Sequence, residues 1–233
     1  MVAQWVGMLI FVVFGSTMLV QPFVVPSRSM EDSLLVGDYL LVDKLVYAPS
    51  GSSSKYLLPY CEVKRGDVIV FRSPINSSQV YIKRAIGLPG DHVQIRGKRL
   101  ILNGKAVDEP YACHRASTID SYRDDFPSRP TSAIFGPAHE MLEKHQENGE
   151  IIVPPNCIFA LGDNRDLSLD SRYWGFTPRA NIVGKPLLIY WSYRPSGGQT
   201  GIGLRSVLDT LRRFPANTRW GRLLKRLHGY PLS

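Results

Sequence analysis

Residues 80–91 read VYIKRAIGLPGD, a β-branched and aromatic run closed by Leu-Pro-Gly-Asp. This composition predicts a strand over Val80–Ile86 and a tight turn at 88–91. Side chains alternate along a strand, so Lys83 and Arg84 leave it on opposite faces. One of the two must point inward if either face is covered. The same pattern recurs on both sides of this stretch. Residues 37–47 (GDYLLVDKLVY) and 66–71 (GDVIVF) are β-rich runs opened by Gly-Asp turns. His92–Ile95 and Arg99–Leu102, with the turn Asn103-Gly104, read as a hairpin pair. Cys157–Leu161 and Pro186–Tyr193 add two further strands. Short strands with Gly and Asp punctuation predict a mainly β body, a sandwich or folded barrel.

Three stretches depart from this pattern. Residues 111–150 are polar, rich in Ser, Asp and Arg, and carry three prolines. They read as a variable, partly mobile insertion with one short helix near Pro137–Asn148. Residues 50–54 (SGSSS) read as a flexible loop. Residues 194–233 form a basic tail. In it Val207, Leu208 and Leu211 recur at helical spacing, as do Trp220, Leu223, Leu224 and Leu227. Arg219, Arg222, Lys225 and Arg226 lie between them. This predicts an amphipathic helix, either lying on an anionic membrane surface or packed on the body with its charged face in water.

At the other end, Trp5–Val25 (WVGMLIFVVFGSTMLVQPFVV) contains no ionisable residue. As a helix it would be roughly 31 Å long, about one bilayer core. No charged region opens it and no Ala-x-Ala site follows it, which argues against a cleaved leader. The chain thus divides into a transmembrane anchor over 1–22, a β-rich domain over 23–193 and the tail over 194–233. Arg28 and Lys44 follow the span and no Lys or Arg precedes it. By the positive-inside rule alone the body would be cytoplasmic.

The net charge is +8, but eight of the 28 basic residues and only one of the 20 acids fall from Arg194 onward. The body is therefore nearly neutral, which argues against a nucleic-acid-binding fold. Cys61, Cys113 and Cys157 match no zinc spacing, and either one disulfide or three free thiols suits them. The five histidines show no His-Glu-x-x-His pattern. No metal and no cofactor is implied. There is no Gly-x-Ser-x-Gly elbow either, so a hydrolase built here would need a base other than histidine.

Two segments could supply that chemistry. Pro26-Ser27-Arg28-Ser29-Met30 follows the span directly. An extended backbone through Ser27–Ser29 would set an N–H beside a hydroxyl, as an oxyanion hole requires. A lysine in water titrates at about 10.4 and is no base at neutral pH; desolvation brings it down, at a cost of about 4 kcal/mol. An inward Lys83 treated this way can take a serine proton. Residues 162–172 (GDNRDLSLDSR) crowd acids, arginines and serines between a strand and the aromatics Tyr173-Trp174-Gly175-Phe176. Such a mixture reads as a buried, mutually satisfied polar network.

Taken in order, PSRSM (26–30), LLVGDYLLVDKLVY (34–47), RGDVIVF (65–71), YIKRAIGLPGD (81–91) and GDNRDLSLDSRYWGF (162–176) resemble bacterial type I signal peptidases. The resemblance covers roughly residues 20–108 and 151–193. It implies that Ser29 is the nucleophile and Lys83 the general base. It further implies an oxyanion hole of the Ser29 N–H and the Ser27 hydroxyl, and a Ser168 that hydrogen-bonds and orients Lys83. Asp163, Arg165, Asp170 and Arg172 would form the supporting network, Asp170 pairing with Arg172. Phe23, Val25, Met30, Leu34, Leu40, Val70, Tyr81 and Ile82 match the positions that line the substrate pockets. The implied substrates are signal peptides of exported pre-proteins, cut after small residues. The implied place is the bacterial cytoplasmic membrane, single-pass, with the catalytic domain outside the cytoplasm, against the charge rule. Arg28, where a small residue is usual, and Glu31-Asp32-Ser33 depart from the family pattern.

Overall fold

The computed structural model describes residues 4–8, 13, 19–47, 61–128, 136–194 and 214–232. Its strands form two antiparallel sheets. The larger runs in the order β1 (Val20–Val24), β2 (Asp38–Asp43), β12 (Ile182–Ser192), β3 (Val68–Arg72), β4 (Val80–Gly87), β10 (Cys157–Leu161), β11 (Thr177–Pro178), with β13 (Lys225–Arg226) added to β12. The smaller runs β7 (Lys105–Ala106), β6 (Arg99–Leu102), β5 (His92–Arg96), β9 (Glu150–Ile152), β8 (Gln146–Glu147). Among the described residues the body also carries helix α1 (Gly136–Lys144) and the short α2 (Ser171–Trp174). The mainly β body is as the alternation predicts.

The predicted hairpin needs one correction. The β5–β6 reversal uses Gly97 and Lys98, since Arg96 pairs with Arg99; Asn103-Gly104 instead joins β6 to β7. All four turn residues have positive φ. A two-residue loop that follows the strand twist demands this at both central positions.

β3 explains why the centre of the large sheet is dry. Val68 and Val70 enter one apolar cluster, with Val25, Met30, Leu34, Leu40, Ile82 and Ile189. Ile69 and Phe71 enter another, with Ala85, Ile158, Ala160 and Trp174. Both faces are therefore covered. Lys83 and Arg84 are accordingly both buried, at 4% and 1% exposure, where alternation alone required only one to be.

The N-terminal boundary also shifts. Val20–Val24, which spans the expected exit of the apolar helix at Gln21-Pro22, is strand β1, paired along its length with β2 (Val20 to Asp43, Val24 to Tyr39). The backbone partner offered by β2 outweighs the helical reading of an apolar run. Gln21 and Pro22 thus lie inside a strand on the sheet's edge, where a proline costs no ladder bond. Of the rest of the expected anchor, residues 4–8 and 13 are helical. Among the described residues no helix is long and apolar enough to cross a membrane.

The insertion and the tail are tied to the body. Tyr111, Tyr122, Phe126 and Leu142 are buried in the core shared by β5, β6, β9 and β10. The short helix falls at Gly136–Lys144, and residues 129–135 and the loop at 50–54 lie outside the described residues. In the tail, Val207, Leu208 and Leu211 also lie outside them. The predicted helix over Trp220–Leu227 is not formed. One 3-10 turn at Trp220–Arg222 is followed by Leu224 at φ 56° and then by β13, which pairs with Leu188 and Ile189 of β12. Leu232 reaches the main core. Of the two fates read from the tail, packing on the body is the one seen over the described residues 214–232, through a helical turn at 214–217 stacked on Trp191 and through strand β13. Cys61, Cys113 and Cys157 are all free thiols.

Candidate active site

Ser29 lies on a single 3-10 turn, Arg28–Met30, between β1 and β2. Ser27 before it is extended, at φ −134° and ψ 163°, so the expected extended backbone stops there and the chain coils through Ser29. Met30 and Leu34 pin the turn: both are buried, and the Leu34 N–H donates to the Met30 carbonyl at 2.7 Å. From the opposite side the Asn164 N–H donates to the Ser29 carbonyl at 3.0 Å. Residues 162–172 therefore hold the backbone of the serine itself.

Lys83 approaches from β4, where the pairings Ile69–Lys83 and Val68–Arg84 set its register. Its Nζ stands 2.5 Å from Ser29 Oγ. Burial lowers the Lys83 ammonium to about 8; Asp170 and Asp163 oppose that shift and Arg172 reinforces it. Ser27 Oγ lies 3.3 Å from Ser29 Oγ. A hydroxyl and an amine with a depressed pKa are thus in contact, with a second hydroxyl beside them.

The remaining predicted polar residues form three ion pairs behind this contact. Asp163 takes a bidentate pair from Arg84, at 2.8 and 2.6 Å. Arg165 is forked onto Glu109, at 2.8 and 2.5 Å, and donates to the Gly162 carbonyl at 3.2 Å. Asp170 pairs with Arg172 at 2.8 and 2.7 Å, caps α2 and accepts from the Gly162 N–H at 3.2 Å. Burial opposes ionisation of Asp170, but the Arg172 guanidinium overrides it and holds the carboxyl below its usual range. Ser168 is the exception. Its Oγ is buried without a hydrogen-bond partner, so the expected bond to Lys83 is not made.

A cleft of about 420 Å³ opens on this contact, lined by Phe23, Val25, Met30, Tyr81, Ile82 and the edge residues Val24, Gln79 and Val80, with Ser27, Ser29 and Lys83 at its end. Leu34, Leu40 and Val70 do not line it. They are fully buried in the cluster beneath it, packed behind the lining residues. Arg28, on the rim, is exposed and neutralised by Glu31 at 2.9 Å.

The sequence marked Arg84 only as the residue opposite Lys83 on its strand, and it did not single out Glu109 or Asp38. Arg84 sits next to Lys83 in the strand and had a signal: a second basic residue in a run covered on both faces needs a buried acid. Glu109 had none, because it lies 56 positions from Arg165 in the chain.

Gly162 leaves no room for a side chain. A Cβ there would meet Ser168 Oγ at 2.2 Å and the Ser29 carbonyl oxygen at 2.5 Å. Because the second atom is backbone, Gly162→Ala must displace the serine. We expect any reaction carried by Ser29 to slow about a hundredfold, the typical cost of a misplacement near 1 Å. A parent-like rate in a folded variant would show that Ser29 tolerates the shift.

Known proteins resemble this chain over most of its length. The family model described as signal peptidase, peptidase S26, matches residues 1–191. A signal peptidase I of Buchnera aphidicola is 32% identical over 87% of this chain and 80% of its own. That of Aquifex aeolicus is 34% identical over 78% of this chain and 79% of its own. That of Pseudomonas aeruginosa is 36% identical over 75% of this chain and 66% of its own. The chain therefore belongs to the signal peptidase S26 family and is a hydrolase of the signal peptidase I type.

Proposed function

We propose that this is a membrane-bound serine endopeptidase that removes signal peptides from exported pre-proteins, with Ser29 as nucleophile and Lys83 as base. The observation that carries the reading is the 2.5 Å approach of a buried amine to a buried hydroxyl. Neutral Lys83 takes the Ser29 proton as Oγ attacks the scissile carbonyl carbon. The Ser29 N–H and the Ser27 hydroxyl stabilise the oxyanion. Collapse breaks the C–N bond, and the Lys83 ammonium gives its proton to the leaving amine. Water then attacks the acyl ester, its proton passing to Lys83, and the free carboxyl group leaves as Ser29 regains a proton.

The cleft supports the substrate class. Its apolar lining ends at Ser29, and buried Leu34, Leu40 and Val70 leave the floor little room to retreat before a large side chain. A preference for small residues before the bond follows by overlap. Asp163, Arg165, Asp170 and Arg172 act as supports.

Membrane attachment through the N-terminus, with the catalytic domain outside the cytoplasm, is part of the same reading. Residues 1–19 carry no ionisable side chain. A helix of that length reaches roughly 29 Å, near one bilayer core. Trp5, Val6 and Met8 of the helical residues 4–8 are exposed. With Ser29 so soon after, enzyme and substrate helix meet at one depth, which orients them before contact.

The test is the pH profile of precursor cleavage in detergent. Only neutral Lys83 can act, and its pKa lies at about 8. The kcat/KM should therefore rise about tenfold per pH unit below that value and level off above it. Ser29→Ala should remove cleavage throughout. A flat profile between pH 6 and 8, or cleavage by Ser29→Ala, would sink the Ser/Lys reading.

A further inference from the structure

Asp38 opens β2 and is fully buried. Two arginines of the tail reach it. Arg222 is forked onto it, Nε at 3.1 Å and Nη2 at 2.5 Å, and Arg219 Nη1 lies 3.4 Å away. Ser192 Oγ donates at 2.6 Å and the Leu35 N–H at 2.8 Å. Each arginine also holds a carbonyl of the segment leading into β2: Arg222 Nη2 donates to Ser33 at 3.0 Å, and Arg219 Nη2 to Val36 at 2.9 Å.

That segment is the far arm of the loop carrying Ser29. It begins at Met30, whose carbonyl accepts from Leu34, and closes where the Gly37 N–H donates to the Val25 carbonyl at 3.0 Å. The loop is therefore bounded on one side by the Asn164 bond to Ser29 and on the other by the two tail arginines.

We infer that Arg219 and Arg222 are positioning residues for the nucleophile: the tail clasps the 33–38 segment through Asp38 and thereby fixes Ser29 against Lys83. Neither arginine touches the reacting atoms. The inference rests on Ser29 being the nucleophile, and its test must separate the two claims. A general stabiliser would lower all protection and all activity together, whereas a clasp acts on one loop and on kcat.

The experiment uses the full chain in detergent with a signal-peptide-bearing precursor, comparing Arg222→Gln, Arg222→Lys and Ser29→Ala with the parent. Arg222→Gln should lower kcat by about tenfold to a hundredfold with KM nearly unchanged, as expected for a slightly misplaced nucleophile. Amide exchange should speed at Leu34 and Gly37 by about tenfold and stay at the parent rate at Ile86 and Phe159 in the distant core. Arg222→Lys keeps the charge without the fork and should restore part of kcat; it decides the matter if the glutamine variant does not fold. Parent-like kcat in a folded Arg222 variant overturns the clasp, and so does exchange that accelerates equally everywhere. Cleavage by Ser29→Ala would instead overturn the nucleophile assignment, a different failure.

Discussion

Lys83→Met is expected to lower precursor cleavage by about 10⁴-fold or more, the scale of losing one member of a serine-hydrolase base pair, while making the protein more stable at neutral pH. The first part follows from the contact. Without the amine at 2.5 Å, no other base stands beside Ser29 Oγ among the described residues. Ser27, the other hydroxyl beside it, is no base. The second part follows from burial. The amine titrates at about 8 in the folded chain, against about 10.4 when unfolded, a difference of roughly 3 kcal/mol. The sign is fixed by proton binding. Between these values the unfolded chain holds the extra proton, so stability from this group rises with pH through that window and is lowest below it. A methionine of similar length removes the cost. Thermal melts and initial rates on the same sample check both halves, and a variant that is inactive because it is unfolded would contradict the second.

The largest loss of stability is expected from Arg84→Leu. Asp163 is fully buried, and Arg84 supplies both of its side-chain ion-pair bonds, at 2.8 and 2.6 Å. The arginine is itself held by the Gly66 carbonyl at 2.7 Å and lies 4.0 Å over the Tyr111 ring and 5.4 Å from that of Tyr230. Removing one partner of a buried pair leaves an uncompensated charge, at a cost of about 3–5 kcal/mol. Replacing both partners removes that charge, so Arg84→Leu with Asp163→Leu should be more stable than Arg84→Leu alone. Denaturant titration of the single and double variants measures the coupling. Equal losses in the two would mean that the pair is not what holds this corner together.

Much of this molecule was legible in its alternating strands. The segments Val80–Ile86 and Cys157–Leu161 correspond to β4 and β10 within a residue. Strands declare themselves by local composition, and their turns by residues that accept unusual backbone angles. The contact between Ser29 and Lys83 was legible in another way, through motifs and their order. What failed were the readings that treated a periodic pattern as self-sufficient. Val20–Val24 is apolar enough for a helix and became a strand because β2 lay beside it. The tail has helical spacing and became a clasp because Asp38 and the edge of β12 offered better partners.

The division has a physical basis. Propensity and hydrophobic period act over a few residues, so the amino-acid sequence alone determined that the body is β-rich, that the net charge lies in the tail and that Ser29 and Lys83 fall within motifs resembling those of the family. A buried charge must find its counter-charge wherever the fold brings one. That Lys83 is dry, that Arg84 meets Asp163 and that Arg222 reaches Asp38 were decided only in the tertiary structure, because each depends on groups far apart in the chain sharing one low-dielectric interior.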